Sequence, residues 1–149
     1  MKKRLLGIIL ALLIVLMLLP AISYANSSYT DWTDATTLPT KEGAYKLTKD
    51  VTITGQVIIR TGTTVTIDLN GYTVNFDGNS AKYLVQHKGR LIIEDSSKEG
   101  TGLMINNGNS YIIHTYGDCQ INGGTIQSTT TSGRAVFVQR FKRVQNRNY

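Results

Sequence analysis

From Tyr45 onward the chain is punctuated by short apolar runs: Val51/Ile53, Val57–Ile59, Val65/Ile67/Leu69, Val74/Phe76, Leu84–Val85, Leu91–Ile93, Leu103–Ile105, Ile112–Ile113, Ile121, Ile126 and Ala135–Val138. Gly, Asn, Asp and Ser separate them. The runs are rich in β-branched residues and alternate with period two, the mark of short strands with one buried face. After residue 25 no stretch carries a 3.6-residue period. The pattern predicts an all-β chain.

The runs repeat. Tyr83 to Ile93 lies over Tyr111 to Ile121 at a constant offset of 28 residues without a gap, with Tyr, the apolar pair, Gly and the closing Ile coinciding. Upstream, Gly62-Thr63-Thr64-Val65-Thr66-Ile67 matches the second half, with Ile67 26 positions before Ile93. Such a period is too short for a sandwich of hairpins but suits one turn of a solenoid, whose turns stack at roughly 4.8 Å and bury little alone. Val65, Leu91 and Cys119 then share one inward column, and Ile67, Ile93 and Ile121 the next. Leu84 with Ile112, or Val85 with Ile113, lines another strand. Asn70, Asn106, Asn107, Asn109 and Asn122 fall at the corners beside Gly, where a left-handed backbone is expected.

The N-terminal pattern differs. Lys2, Lys3 and Arg4 precede an unbroken run from Leu5 to Leu19; Pro20 breaks it, and Ser23-Tyr24-Ala25 places small residues where a signal peptidase reads. Residues 1–25 are therefore expected to be a signal peptide cleaved after Ala25, which makes the protein secreted or cell-surface. The alternative is an uncleaved N-terminal anchor, since Leu5 to Ile22 is at the lower limit for a membrane span. Residues 26–40 read as a polar linker. Trp32 stands out there: it either pins the segment against the first turn of the domain or is exposed.

Charge changes this picture little. The whole chain has net charge +6, but the leader holds three of its 16 basic residues and none of its ten acidic ones, so removal leaves +3. Five further basic residues (Arg134, Arg140, Lys142, Arg143 and Arg147) follow the last acid, Asp118. The body is nearly neutral and nucleic acid is not an expected partner. The single Cys119 excludes an internal disulfide.

The motifs Ile67-Asp68-Leu69-Asn70-Gly71-Tyr72-Thr73-Val74, Gly89-Arg90-Leu91-Ile92-Ile93-Glu94-Asp95-Ser96-Ser97 and Ile121-Asn122-Gly123-Gly124-Thr125-Ile126, with Gly43 to Val51 upstream, resemble the parallel β-helix repeats of secreted bacterial surface proteins, the adhesin-like and pectin-lyase-like group. The resemblance covers about residues 40–138 and implies an all-β fold: a right-handed parallel β-helix (solenoid) fragment of about three to four coils, preceded by an N-terminal signal helix. The β-helix domain is placed at 41–139 and is expected to be incomplete. Gly133 to Val138 opens a further coil, but Phe141 stands where Gly is due. Residues 140–149 are expected to be a basic tail, disordered or out of register, and the chain to be a truncated or frame-shifted remnant with an open last coil able to self-associate.

Candidate chemistry is sparse. Asp68, Glu94 and Asn122 form one outward column by repeat, read as solvated, although two stacked carboxylates suit a cation. Glu94 and Asp95 are adjacent on a strand and face opposite sides, so they are no acid/base pair. His114 aligns with Gln86 rather than His87, which leaves both histidines as surface residues. Cys119 aligns with Val65 and Leu91 and reads as a buried apolar position. No catalytic residue, metal ligand or cofactor is expected. Tyr83 and Tyr111 stack by repeat and, with Tyr72 and Tyr116, form a candidate outward strip for sugar stacking; a purely stabilising ladder is the alternative. The expected function is that of an exported, non-enzymatic cell-surface or adhesin-like protein that binds polysaccharide or a surface partner, or acts as a spacer. The alternative is a fragment of a pectin-lyase-like carbohydrate-active enzyme, a polysaccharide lyase or glycoside hydrolase.

Overall fold

A computed structural model describes residues 28–77, 83–131 and 134–138. Every regular element among them is a strand: β1 (Thr30–Trp32), β2 (Gly43–Leu47), β3 (Val51–Ile53), β4 (Val57–Ile59), β5 (Thr64–Asp68), β6 (Thr73–Phe76), β7 (Tyr83–His87), β8 (Arg90–Glu94), β9 (Leu103–Asn106), β10 (Tyr111–Thr115), β11 (Asp118–Ile121), β12 (Thr125–Ser128) and β13 (Arg134–Val138). The expected leader, its cleavage position Ala25 and the tail 140–149 lie outside the described residues. No described helix is long and apolar enough to cross a membrane.

The strands form three sheets, ordered β1-β2-β5-β8-β11, β12-β9-β6-β3 and β13-β10-β7-β4. All the pairings are parallel. From β2 onward each strand pairs with the strand three places later, so the chain visits the three sheets in turn and returns one strand further along. A strand of three to five residues buries too little to hold alone; its register with the strands before and after it supplies the rest.

The side-chain columns expected from the repeat are present. Val65, Leu91 and Cys119 are partners across three strands, as are Ile67, Ile93 and Ile121. Val85 is partnered with Ile113. Period-two burial follows: Val51 and Ile53 are buried around an exposed Thr52, and Val57 and Ile59 around an exposed Ile58. The enclosed core runs through Leu47, Leu69, Val74, Phe76, Met104 and Ile112, each buried side chain being worth roughly 1.5–3 kcal/mol.

The two ends of the stack differ. Within the segment expected to be a polar linker, β1 pairs with β2 in the register Thr30↔Tyr45 and Trp32↔Leu47. Trp32 donates its Nε1–H to the Thr37 carbonyl at 2.9 Å and meets Tyr45 edge-on at 5.6 Å. Leu38 is only 2% exposed. The segment docks because the first apolar layer needs a cover, and Trp32 and Leu38 provide one. At the opposite end Ile121 is 45% exposed, while Cys119, Ile126 and Val136 are partly buried.

The corners correct one expectation. Of the corner asparagines only Asn70 takes a positive φ, 49°, beside Gly71 at 81°. Its side chain also donates to the Leu47 carbonyl in the preceding layer at 3.0 Å. Asn106 instead ends β9 fully buried, donating through Nδ2 to the Ser110 carbonyl at 2.6 Å and accepting from the Gly108 N–H at 2.8 Å. It serves as a hydrogen-bond bracket inside a turn, which satisfies its buried amide without a left-handed backbone.

Candidate functional site

The outer column of the first sheet runs in register from Asp31 through Lys46 and Asp68 to Glu94. Asn122 extends it by donating Nδ2 to Glu94 Oε1 at 3.3 Å. Asp68, expected to be solvated, is 1% exposed. Its Oδ1 accepts the N–H groups of Asn70 at 2.9 Å and Ser96 at 2.8 Å, and its Oδ2 lies 3.4 Å from Lys46 Nζ. Burial opposes its charge, but hydrogen bonds from Ser96 and Asn70, with Lys46 alongside, outweigh that penalty and hold its pKa below the usual carboxylate value. Tyr29 donates its hydroxyl to Glu94 Oε2. Burial and the Glu94 carboxylate push the Tyr29 pKa up to about 12. Both Glu94 oxygens and Asp68 Oδ1 accept hydrogen bonds, whereas the buried Asp68 Oδ2 accepts none and is met by the Lys46 ammonium; no group of three or more metal-ligating side chains gathers among the described residues. The column is a structural ladder.

Asp95 occupies the corner beyond β8. One oxygen accepts the N–H groups of Gly71 at 2.9 Å and Ser97 at 3.1 Å, the other that of Gly102 at 2.6 Å. A single carboxylate thus joins two layers of the stack, a role that adjacency to Glu94 in sequence does not disclose.

The candidate sugar-stacking residues Tyr83 and Tyr111 are partners in register, with Arg134 next in the same column. The side chain of Tyr83 lies outside the described residues. Tyr111 shares a strand face with Ile113 and Thr115, both buried, and is itself half-buried. The Arg134 guanidinium stands 5.9 Å from its ring centroid. Tyr72 packs on the core, and Tyr116 lies beneath Lys88 at 5.9 Å. The described tyrosines therefore occupy separate environments.

His114, expected at the surface, is fully buried. It stands in register with Gln86 and Phe137, and its ring lies 4.3 Å from that of Tyr116, whose packing covers one side of it. His87 is in register with Ile59 and Thr115. Cys119 is half-buried; burial, then the neighbouring Asp118 charge, pushes its thiol up to about 11, so it stays neutral at ordinary pH.

Among the described residues, two clefts lie elsewhere, at the covered N-terminal end. One cleft of about 430 Å³ is lined by Thr40, Lys41, Glu42, Ile58, Arg60 and Thr63. A second, of about 190 Å³, is lined by Trp32, Pro39, Thr40, Lys41 and Tyr45. They share Thr40 and Lys41, so an aromatic recess opens beside a polar one. Each part has a local cause. Trp32 and Tyr45 are fixed by adjacent strands and by their own edge-to-face contact. Arg60 and Thr63 flank a tight turn closed by the Thr63 N–H on the Arg60 carbonyl at 3.3 Å. Ile58 is the outward residue of β4 and is 50% exposed. The lone Trp in a polar segment was the sequence signal for this place; Lys41, Glu42 and Arg60 carry no local motif.

Comparison with protein-family models, curated proteins and solved structures finds no match to this chain.

Proposed function

We propose that this chain is an exported, non-enzymatic surface protein, built as a right-handed parallel β-helix, that binds polysaccharide through the cleft at its N-terminal end. The observation that carries the reading is the meeting of Trp32, Tyr45 and Pro39 with Thr40, Lys41, Glu42, Arg60 and Thr63 in two adjoining clefts. A sugar has an apolar C–H face that lies on an aromatic ring and a rim of hydroxyls that needs donors and acceptors. The regular three-sheet threading supports the β-helix reading, and the strong preference of parallel crossovers for one hand supports its handedness. The sequence of residues 1–25 supports export. The stacked frame would hold the cleft rigid at the end of the molecule.

Trp32 is the single tryptophan of the chain, so its fluorescence reports on this cleft alone. A glycan panel should yield a binder that shields Trp32 from acrylamide quenching. Absence of any glycan binding, or binding that leaves Trp32 equally quenched, would remove the reading. Incubation with uronate polymers and calcium should release no product; a cleaved product would move the chain to the carbohydrate-active enzymes.

A further inference from the structure

Resting on that reading, we propose that the sugar bound in the N-terminal cleft is anionic, its ring lying against Trp32 and Tyr45 and its carboxylate held by Lys41 and Arg60. Lys41 is common to both clefts, and Arg60 lines the larger one. Both are exposed, and neither takes part in an ion pair among the described residues. This contrasts with Lys46, whose ammonium faces Asp68, and Arg90, which faces Asp118 at 3.9 Å. Glu42 is the single acid of the lining, leaving an excess of one positive charge. The guanidinium of Arg60 presents a planar fork suited to a carboxylate, and the Lys41 ammonium a point charge at the junction with the aromatic recess. Thr40 and Thr63 supply hydroxyls for the sugar rim. A neutral sugar would use the aromatic recess and the hydroxyls but not the net positive charge of the lining.

The test titrates the full chain, read by Trp32 fluorescence, with a glucuronate-terminated oligosaccharide and its glucose-terminated twin. The acidic sugar should bind roughly 2- to 30-fold more tightly, the range two solvent-exposed charge contacts support. Arg60→Gln or Lys41→Gln should each remove about half of that advantage on a free-energy scale, weakening the acidic sugar more than its neutral twin. Glu42→Gln should tighten the acidic sugar relative to its neutral twin, by roughly 1.5- to 5-fold. The advantage should shrink as salt is raised. Equal binding of the twins, or an acidic preference untouched by Arg60→Gln and Lys41→Gln, overturns the anionic assignment and leaves the polysaccharide reading standing. If neither twin binds and the glycan panel is also blank, both fall together. All three substituted residues are exposed, so an unchanged thermal midpoint will show that the variants are folded.

Discussion

At the scale of single residues, the polar groups that matter to this protein are those that tie neighbouring layers together. Asp95 receives backbone N–H groups from Gly71, Ser97 and Gly102. Its burial disfavours the charged form, but the hydrogen bonds from Gly102, Ser97 and Gly71 prevail and lower its pKa from 3.8. A carboxyl whose folded pKa is depressed stabilises the fold fully above its unfolded value and loses that contribution as pH falls through the folded value. Stability should therefore decline on acidification below about pH 4, Asp68 acting in the same direction. Asp95→Asn should cost about 1–3 kcal/mol at neutral pH, because an amide replaces a charged acceptor facing three donors. The variant should also show a shallower acid decline. Thermal melts of both proteins across the acid range measure this; an unchanged neutral midpoint would show that Asp95 holds nothing together.

At the scale of the elements, spacing between strands is controlled by glycines chosen for room. A Cβ on Gly89 would stand 2.1 Å from the Thr63 carbonyl oxygen, and one on Gly117 2.1 Å from that of Gly89. Neither residue has a positive φ. Gly89 and Gly117, which precede the Leu91–Ile93 and Cys119–Ile121 runs, mark a close approach of stacked backbones, whereas Gly62, before Val65–Ile67, has a φ of 79° with nothing within 4 Å of an added Cβ and is a turn former. The Asp118 N–H donates to the Gly89 carbonyl at 3.1 Å and the Arg90 N–H to that of Thr63 at 2.9 Å across the same approach. Gly117→Ala should therefore cost about 1–3 kcal/mol by overpacking against backbone that cannot yield. Gly55→Ala is the control: nothing stands within 4 Å of its added Cβ, and its φ is not positive. It should be neutral or gain about 0.4–1 kcal/mol. Urea denaturation of the two variants separates these outcomes, and equal stabilities would refute the packing account.

At the scale of the whole molecule, the two ends of the stack differ in the burial of their described residues. Leu38 is 2% exposed beneath β1, whereas Ile121 at the far end is 45% exposed. Truncating Leu38 to Ala should cost about 2–5 kcal/mol, the range for a fully buried leucine. Ile121→Ala should cost about 1 kcal/mol or less, since nearly half of its surface already meets water. Denaturant midpoints of the two variants compare the ends directly. A large loss at Ile121 would show that something covers that end in solution. The N-terminal end also carries the cleft, so the segment that seals the core at Trp32 and Leu38 is the same one that builds the binding surface at Pro39–Glu42.

What could be read from the sequence was whatever repeats or alternates. Strand periodicity is a local property of the side chains, and an offset of 26 to 28 residues places Val65, Leu91 and Cys119 in one column because identical spacing in a stacked chain means identical position. The tertiary structure decided what depends on a single unrepeated contact. Asp68 is sunk by Lys46 and Ser96, residues 22 and 28 positions away. His114 is covered by packing, and β1 becomes the outermost strand because the first layer lacked a cover. The cleft gathers Lys41 and Arg60 from segments with no shared motif. Period and register are set by short-range chemistry that the chain repeats, whereas burial of a polar side chain and the walls of a cleft arise from encounters that occur once.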